Sequence, residues 1–313
     1  MNDMKAGQFG RAGGAGKELK GSCVMFGEPM ANHTSLGIGG RAEIFARPSD
    51  DEALMRLLEY ASGMPVFLIG GGTNLLVPDG DIRALVISTQ DMKGIKTDVP
   101  AGGTVISVAA GEPLKKVLAY CMQNGLTGLE PLAGIPGSIG GAVAGNAGAH
   151  GLQIGAAVRS ALVVDFSGGG TSKTISRENF GFRYRGSSAG GLITNVELAL
   201  EKGESQEIKK LMIKNFDMKK KTQPLASRAA GCVFKNPEGK NSAGRLIEEA
   251  GLKGVRVGDI EVSRVHANFF INTGKGTAAD FAGLMDKVRG EVLRRSGVAL
   301  EPEIKMFLGE KCL

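Results

Sequence analysis

The sequence predicts a protein of the α+β class. Segments that read as strands alternate with segments whose apolar residues have helical spacing, but without the strict strand–helix–strand period of a parallel sheet. No internal repeat is visible, and 42% hydrophobic and 22% charged residues are typical of a globular protein. The 313 residues are enough for two domains or one large domain.

The first half of the chain is predicted to contain mostly strands. Residues 1–21 hold six glycines among polar residues and are expected to form a mobile tail. A helix is predicted to begin with Ser49 as its N-cap, followed by three acids, with Leu54 and Leu57 on its apolar face. Strands are predicted at 42–47, 65–69, 84–87 and 104–111, and a second helix at 113–124.

The second half is predicted to alternate more evenly between strands and helices. A polar break at 201–206 is a candidate domain boundary, and the basic helix that follows, 208–221, ends before Pro224. Upstream of this break we predict strands at 161–165 and 192–198, with a tight turn at 168–170. Downstream we predict a turn–strand–turn at 230–237, a helix at 242–250, a strand at 265–272, a helix at 277–296 and a last strand at 303–308.

Composition and residue spacing narrow the function classes. No apolar run approaches the roughly 18 residues of a membrane span, and a signal-peptide core is missing, so we expect a cytoplasmic protein. The net charge of +6 fits an anionic small molecule as well as a polyanion, but the absence of Trp weakens any nucleic-acid stacking platform. The four cysteines are scattered and include no CxxC pair, so neither a metal site nor a disulfide framework is indicated. They are Cys23, Cys121, Cys232 and Cys312. Cys121 is expected in the core, His33 and His150 in loops, and His266 as a structural strand residue.

A glycine-rich stretch at 130–151 is the most unusual part of the sequence. It reads EPLAGIPGSIGGAVAGNAGAHG and offers main chain rather than side chains to a partner. Glycine lets a ligand approach the backbone closely, and successive N–H groups form a nest for a pyrophosphate. We therefore predict a large flat cofactor with a diphosphate. A flexible linker is the alternative, but interleaved apolar residues such as Leu132 and Ile139 argue against it.

A second glycine-rich loop, 70–76, follows directly after the buried strand at 65–69. It reads GGGTNLL, which is neither a Walker A motif nor a GxGxxG fingerprint. By itself it is equally well explained as an ordinary junction between a strand and a turn. Its occurrence together with the stretch at 130–151 favours a second loop that binds the same cofactor.

Seven segments together resemble the UDP-N-acetylenolpyruvoylglucosamine reductase (UDP-N-acetylmuramate dehydrogenase) family. They are, in order, IGGGTNLLV, PLAGIPGSIGGAVAGNAGAHG, FGFRYRGS, AAGCVFKNP, SAGRLIEEAGLKG, VSRVHANFFIN and LEPEIKMFLG. The match spans about 32–307; each segment is a weak signal, but their order and combination are specific. The resemblance implies a two-part FAD-binding module of the vanillyl-alcohol-oxidase (PCMH) type followed by an α+β substrate-binding domain. The short run at 184–192 resembles the compact branch of the family, which lacks a long substrate-covering insertion.

The same resemblance implies an activity and a domain organisation. The activity is the NADPH-dependent reduction, through FAD, of UDP-N-acetylglucosamine-enolpyruvate to UDP-N-acetylmuramate in peptidoglycan precursor synthesis. We expect a flexible tail at 1–21, an FAD-binding domain at 22–203 with a break between two subdomains near 93–103, and a substrate-binding domain at 204–313. The expected partners are the enolpyruvyl sugar nucleotide and NADPH, without nucleic acid or membrane insertion, and we expect a monomer or weak oligomer.

The cofactor-binding residues are assigned to the two glycine-rich segments. In the first loop they are Gly70, Gly71, Gly72, Thr73, Asn74 and Leu75. In the longer stretch they are Gly134, Ile135, Pro136, Gly137, Ser138, Gly140, Gly141, Asn146 and Gly148.

Two charged residues match catalytic positions of the family. Hydride addition to the vinyl carbon leaves negative charge beside the substrate carboxylate, which needs electrostatic stabilisation and then a proton. Arg185 matches the family's arginine, and its planar guanidinium can bind a carboxylate through two hydrogen bonds, although a surface ion pair is the alternative. Glu303 matches the C-terminal catalytic glutamate, although composition alone would make it a solvated strand residue.

Cys232 lies where the family has a serine or a cysteine as proton donor. A thiol of ordinary pKa, about 8.5, stays mostly protonated at neutral pH, and its thiolate is a less costly product than an alkoxide. The alternative is a small buried hydrophobic residue, but the flanking sequence favours catalysis. Lys235 and Asn236 match substrate-contacting residues, and a surface lysine is the alternative for Lys235.

Two functions of other classes remain open. An FAD-dependent alcohol oxidase with the same flavin module would leave Arg185 and the AAGCVFKNP segment without a role. A non-catalytic nucleotide-sugar-binding protein would not need glycine loops of flavin length. A yellow colour on purification separates both enzymes from the binding protein, and NADPH consumption that depends on the enolpyruvyl sugar separates the reductase from the oxidase.

Overall fold

The computed structural model describes residues 17–98, 104–166, 170–239 and 241–307. The strands are β1 (Lys17–Leu19), β2 (Ser22–Pro29), β3 (Arg41–Pro48), β4 (Val66–Ile69), β5 (Leu75–Leu76), β6 (Asp81–Ser88), β7 (Ile95–Asp98), β8 (Thr104–Ala109), β9 (Leu126–Thr127), β10 (Gly148–Ala149), β11 (Leu152–Gln153), β12 (Val158–Asp165), β13 (Thr171–Ser176), β14 (Leu192–Lys202), β15 (Ala229–Cys232), β16 (Arg256–Val257), β17 (Ile260–Val262), β18 (Phe269–Asn272) and β19 (Lys305–Met306). The helices are α1 (Asp51–Tyr60), α2 (Leu114–Gln123), α3 (Ile139–Ala144), α4 (Ser205–Thr222), α5 (Ala243–Glu249) and α6 (Ala278–Ser296). This mixture of mainly antiparallel sheets and segregated helices confirms the α+β prediction.

The first sheet has the order β1-β2-β3-β6-β4. Its β3–β6 and β4–β6 pairs are parallel and its other pairs antiparallel, and α1 packs Leu54 and Leu57 into its core. Asp50, not Ser49, is the N-cap of α1, because its carboxylate accepts the Ala53 N–H at 2.8 Å. This hydrogen bond lowers the pKa of Asp50. β1 occupies part of the expected tail at 1–21, and residues 1–16 lie outside the described residues.

The second sheet has the order β13-β12-β14-β8-β7, and β9 extends it from β14. Helices α2 and α3 cover it, and the core between them contains the fully buried Phe180 and, as predicted, Cys121. Strands β7 and β13 were not predicted. Both are edge strands, and the mostly exposed, polar sequence of β13 carries no apolar alternation. Residues 99–103 of the predicted break near 93–103, and two residues of the turn at 168–170, lie outside the described residues.

The third unit is the antiparallel sheet β15-β18-β17-β16, packed against α5 and α6. Helix α6 starts as predicted, with a capping box between Thr277 and Asp280. The strand predicted at 265–272 begins only at Phe269. The Ser263 hydroxyl accepts two N–H groups at the start of this segment and turns the chain, so His266 lies in a turn rather than in a strand. The last strand is likewise shorter than predicted, and residue 308 lies outside the described residues.

The third unit is joined to the first by several polar contacts. The carboxylate of Asp79, between β5 and β6, accepts the N–H groups of Ala278 and Ala279 at 3.0 Å each and thus caps α6 from across the interface. Asn272 donates to the Leu36 carbonyl at 2.9 Å, and β19 pairs in parallel with β5. These contacts hold the C-terminal segment against the loop that follows β4. Within the described residues, no helix is both long and apolar enough to cross a membrane.

Candidate active site

The two glycine-rich segments predicted to bind a cofactor face each other. A Cβ atom added at Gly71 would lie 2.8 Å from the Cα atom of Gly137, and one added at Gly137 would lie 2.9 Å from Oγ1 of Thr73. Such distances leave no room for side chains. The structure therefore brings together two main-chain surfaces that are 66 positions apart in the sequence (137 minus 71).

The loop after β4 presents a row of unused donors. Within the described residues, no acceptor pairs with the main-chain N–H groups from Gly70 to Asn74, nor with those of Gly137 and Ser138. Gly72 is buried and has a φ of 62°, a left-handed conformation that glycine adopts without strain. Successive main-chain N–H groups without acceptors form a nest that fits an anionic group such as a diphosphate.

The remainder of the longer segment uses its N–H groups internally. Ser138 caps α3 by accepting the Gly141 N–H, and Gly140 donates to the Ala110 carbonyl at 2.9 Å. Ile135 donates to the Leu132 carbonyl at 3.0 Å. Among the residues assigned to the cofactor in this segment, the N–H groups of Gly134, Gly137 and Ser138 are thus without an acceptor within the described residues, and those of Gly137 and Ser138 lie beside the loop that follows β4.

Arg185 lies on a strained tight turn. Arg183 and Gly186 exchange main-chain hydrogen bonds of 2.9 and 3.1 Å, which leaves Tyr184 and Arg185 at the tip. Arg185 has a φ of 59°, and for a residue other than glycine this conformation costs on the order of 1 kcal/mol and is concentrated at functional sites. Nη1 of Arg185 donates to the Gly148 carbonyl at 3.0 Å, which fixes the direction of the guanidinium.

The side chain of Asn146 holds this turn in place. Its amide nitrogen donates to the Arg183 carbonyl at 2.9 Å and to the Gln153 side chain, and its amide oxygen accepts the Gly155 N–H at 3.1 Å. The residue is only 2% exposed. Asn146 and Gly148 were both assigned to the cofactor. Because the structure uses the Asn146 amide and the Gly148 carbonyl to position the arginine turn, we expect these two residues to contribute through Arg185.

Glu303, in the C-terminal segment, lies next to the Arg185 guanidinium. Its carboxylate Oε1 lies 2.9 Å from Nε of Arg185, close enough for an ion pair, although the N–H is not aligned for a hydrogen bond. The main-chain N–H of Glu303 donates to the Val233 carbonyl at 2.7 Å, which ties the glutamate to the segment that carries Cys232. Burial raises the pKa of Glu303, while the positive charges of Arg185 and Lys235 oppose this rise.

Cys232 is the last residue of β15 and carries a free, partly buried thiol. Burial raises its pKa to about 12, and the negative charge of Glu303 acts in the same direction. Arg185, the Asn268 side chain and Lys219 act in the opposite direction. The thiol is thus held protonated more firmly than the ordinary pKa assumed from the sequence, and it is close enough to Arg185 and Glu303 to sense both charges.

The two residues assigned to the substrate lie beside this group. Nζ of Lys235 lies 3.4 Å from the Glu301 carboxylate, and the lysine side chain is 37% exposed. The Asn236 amide oxygen accepts the Ala243 N–H at 3.1 Å, so this oxygen is used at the start of α5. The structure thus places Lys235 at the edge of the site and gives Asn236 a structural contact as well.

Lys219 was not identified from the sequence. It is only 6% exposed, and its alkyl chain packs against Gly134, where an added Cβ would lie 3.2 Å from the lysine Cδ. Its pKa is lowered to about 8, mainly by burial and also by the nearby charge of Arg185, while Cys232 acts in the opposite direction. The sequence did contain a signal that Lys219 is buried. It lies 11 positions after Ile208, and residues at this spacing share one face of a helix; Ile208 is buried. The neighbouring lysines made Lys219 look like part of a solvated basic run.

Comparison with known proteins shows which family this chain is similar to. A family model described as an FAD binding domain matches residues 42–174, and a model described as the C-terminal domain of UDP-N-acetylenolpyruvoylglucosamine reductase matches residues 223–307. UDP-N-acetylenolpyruvoylglucosamine reductase 2 of Symbiobacterium thermophilum is 40% identical over 90% of this chain and 91% of its own length. The reductase of Geobacter sulfurreducens is 39% identical over 93% of this chain and 95% of its own length. The crystal structure of the reductase from Thermus caldophilus superposes with a TM-score of 0.76 at 34% identity, covering 90% of this chain and 97% of that one.

Proposed function

The chain belongs to the UDP-N-acetylenolpyruvoylglucosamine reductase family, and from this membership we propose that it reduces the enolpyruvyl ether of UDP-N-acetylglucosamine-enolpyruvate to UDP-N-acetylmuramate, with FAD as cofactor and NADPH as reductant. Its fold is that of a two-part FAD-binding module followed by an α+β substrate-binding domain. The observation that carries the proposal is the convergence of Arg185, Cys232 and Glu303 beside the two facing glycine loops.

The FAD-binding role is assigned to residues 22–203 and the substrate-binding role to residues 204–313. The unpaired N–H groups from Gly70 to Asn74, with those of Gly137 and Ser138, are suited to hold the diphosphate of FAD. When bound, FAD supplies the hydride that it receives from NADPH. The protein's own residues must then bind the substrate carboxylate, stabilise the charge that develops beside it, and deliver a proton.

Arg185 is proposed to bind the substrate carboxylate. Its Nε is buried and lies 2.9 Å from Oε1 of Glu303 without an aligned hydrogen bond, so an incoming carboxylate can take up this donor once Glu303 is protonated. The planar guanidinium suits a carboxylate, and its position is set by the Gly148 carbonyl before substrate binds. A preorganised cation of this kind stabilises the negative charge that forms on the adjacent carbon and is shared with the carboxylate.

Glu303 is proposed to act beside Arg185 in its protonated form. Burial favours the neutral carboxyl, and binding of a second carboxylate next to Glu303 would favour it further, because two neighbouring negative charges repel each other. A protonated Glu303 can donate a hydrogen bond to the substrate, whereas an ionised one would compete with the substrate for Arg185.

Cys232 is proposed to donate the proton. The S–H bond breaks as the new C–H bond forms on the carbon between the ether oxygen and the carboxylate, and the electron pair of the S–H bond stays on sulfur as a thiolate. Because burial raises the pKa of the thiol to about 12, the proton is in place throughout the physiological range. A carbanion is a much stronger base than a thiolate, so the transfer remains favourable.

The diphosphate-binding role can be tested at Gly137. We expect Gly137→Val to abolish retention of FAD, because Gly137 has a φ of 111° and an added Cβ would lie 2.9 Å from Oγ1 of Thr73. The measurement is the ratio of bound flavin to protein by absorbance, with circular dichroism to verify folding. Gly190→Val is the control, because Gly190 is exposed and has open space where a Cβ would lie. A folded Gly137→Val protein with stoichiometric FAD would contradict the assignment.

The reaction itself is tested by a coupled assay. The purified, FAD-loaded protein is expected to oxidise NADPH only when the enolpyruvyl sugar nucleotide is present, with one product molecule per NADPH. Reoxidation by O₂ with an alcohol substrate, and no response to the sugar, would instead identify an alcohol oxidase. A colourless protein that binds the sugar without NADPH oxidation would identify a nucleotide-sugar-binding protein.

The cellular context follows from the substrates. NADPH and nucleotide sugars are cytoplasmic metabolites, so we assign the protein to the cytoplasm. We also propose that it acts as a monomer or weak oligomer, because Arg185, Cys232, Glu303 and both glycine loops all come from one chain. Analytical ultracentrifugation of the FAD-loaded protein is the direct test.

A further inference from the structure

The loop 34–38 lies between the glycine loop that follows β4 and strand β15, and the proposed mechanism does not use it. The Thr34 hydroxyl donates to the Ile38 carbonyl at 2.7 Å, which closes the loop on itself. Leu36 is fully buried in the core of the third unit, and its carbonyl accepts the Asn272 amide at 2.9 Å. The loop is therefore fixed both internally and against the substrate-binding part of the chain.

Ser35 is the residue of this loop that bonds to both of its neighbours. Its main-chain N–H donates to the Gly72 carbonyl at 3.0 Å, and its hydroxyl donates to the Ala229 carbonyl at 2.8 Å. The hydroxyl oxygen also lies 3.3 Å from the Gly72 carbonyl oxygen, but a hydroxyl has one proton to donate and the contact with Ala229 is the shorter. One residue thus connects the glycine loop proposed to hold the FAD diphosphate with the first residue of β15.

The contact between this loop and Gly72 leaves no free space. A Cβ added at Gly72 would lie 1.9 Å from the His33 carbonyl oxygen and 3.1 Å from the Thr34 Cα, so the two main chains touch. His33 is itself held by the first unit: its ring stacks on Phe45 with centroids 3.9 Å apart, and its Nε2 lies 2.9 Å from the Glu28 carboxylate. The first unit therefore fixes the start of the loop and, through it, the position of Gly72.

Strand β15 is irregular in the part that leads to the thiol. It is the edge strand of its sheet, and its register against β18 shifts between Ala229 and Cys232. Gly231, inside this shift, has a φ of 79°, a left-handed conformation. Because an irregular edge strand has few ladder hydrogen bonds to hold it, the bond from the Ser35 hydroxyl to Ala229 is a fixed point close to the thiol.

We propose that Ser35 is a positioning residue that sets the distance between the glycine loop and the Cys232 thiol by bonding to both segments at once. The proposal rests on the proposed role of Cys232 as proton donor. Hydride and proton reach adjacent carbons of one substrate molecule, so the groups that hold the cofactor and the proton need a fixed separation. A misplacement of about 1 Å can cost on the order of 10²-fold in rate.

The support of β15 is tested by hydrogen–deuterium exchange of the FAD-loaded protein without sugar. Ser35→Ala removes the hydroxyl bond to Ala229 and keeps the main-chain bond to Gly72. The main-chain N–H groups of 229–233 should exchange roughly fivefold faster, the factor that corresponds to the loss of one neutral hydrogen bond. Those of the glycine loop 70–76 should keep their rate.

The consequence for catalysis is tested by stopped-flow measurement of the two half-reactions. Ser35→Ala should lower the limiting rate of flavin reoxidation by the enolpyruvyl sugar roughly 10- to 10²-fold. The sugar concentration for half of this rate, and the rate of NADPH oxidation, should change little, because Arg185 and the glycine loop stay in place. Ser35→Thr keeps a hydroxyl and should be close to the wild type. Ser296→Ala is the matched control, because it removes a hydroxyl-to-carbonyl bond of the same 2.8 Å length in α6.

Unchanged exchange of 229–233 in Ser35→Ala would overturn the proposal, and so would an equal slowing of both half-reactions or a defect that threonine does not restore. If Ser35→Ala does not retain FAD, Ser35→Cys, which fills the same space with a weak donor, is measured in the same way. Loss of FAD in both variants would show a purely structural role and would also overturn it.

The exchange measurement separates this proposal from the one on which it rests. It does not involve turnover, so it decides whether Ser35 fixes β15 whatever the role of the thiol. A Cys232→Ala enzyme of full activity would refute the proton-donor role, and with it the catalytic reason for the fixed distance. Faster exchange in Ser35→Ala together with an inactive Cys232→Ala enzyme is the result that we expect.

Discussion

Replacement of Cys232 by alanine is expected to lower kcat for the enolpyruvyl sugar by roughly 10²- to 10⁴-fold, the range that a positioned general acid contributes. The FAD content and the rate of NADPH oxidation in the first half-reaction should stay unchanged, because that step needs no proton from the thiol. The structure supports this separation: Cys232 is grouped with Arg185 and Glu303, whereas the predicted diphosphate-binding donors belong to other loops.

The decisive measurement is stopped-flow mixing of the reduced enzyme with the enolpyruvyl sugar. Cys232→Ser is the matched control and should retain substantial activity, because a hydroxyl near Arg185 and Lys219 can also donate a proton. At alkaline pH, where some thiolate forms despite the raised pKa of Cys232, the wild type should be inactivated by thiol alkylation and substrate should protect it. The serine variant should resist the same reagent, which controls for reaction at the other cysteines. If Cys232→Ala released product at the wild-type rate, Cys232 would be a core residue and the assignment would be wrong.

Arg185→Lys is expected to lower kcat by roughly 10²-fold or more, the scale of losing one preorganised donor at a developing charge. A lysine keeps the charge but has a single nitrogen, so it cannot contact the Gly148 carbonyl, Glu303 and a substrate carboxylate in the geometry of the guanidinium. NADPH oxidation by the enzyme-bound flavin should be nearly unchanged, because this half-reaction does not involve the enol ether.

Arg183→Lys is a suitable control for this variant. Arg183 lies on the same turn, is exposed, and contributes its main chain rather than its guanidinium to the turn. Single-turnover kinetics of the two half-reactions should show a defect in Arg185→Lys confined to the reaction with sugar. An equal loss in both half-reactions, or an equal loss in Arg183→Lys, would mean that Arg185 supports the structure of the turn instead of the chemistry.

Local sequence signals located most of the regular elements. The capping residues that surround α6, Thr277 at its start and Gly297 with a φ of 67° at its end, act through neighbouring main-chain groups, so they are visible in the sequence. The elements that the sequence analysis did not locate correctly lack such local signals. The edge strand β13 has no buried face to impose an apolar pattern, and the segment before β18 bends because of a side-chain hydrogen bond from within it.

The sequence by itself determined the α+β class, the glycine loops that leave main-chain donors unused, and, through the family resemblance, the three catalytic candidates. These features depend on residue type and short spacing. Only the tertiary structure decided which of these groups act on one another. It placed Glu303 2.9 Å from Arg185, assigned the Asn146 amide to the arginine turn, buried Lys219, and raised the pKa of Cys232 to about 12. The physical reason is that charge interactions and desolvation depend on distance and burial in space, which the packing of three units sets and which no local pattern encodes.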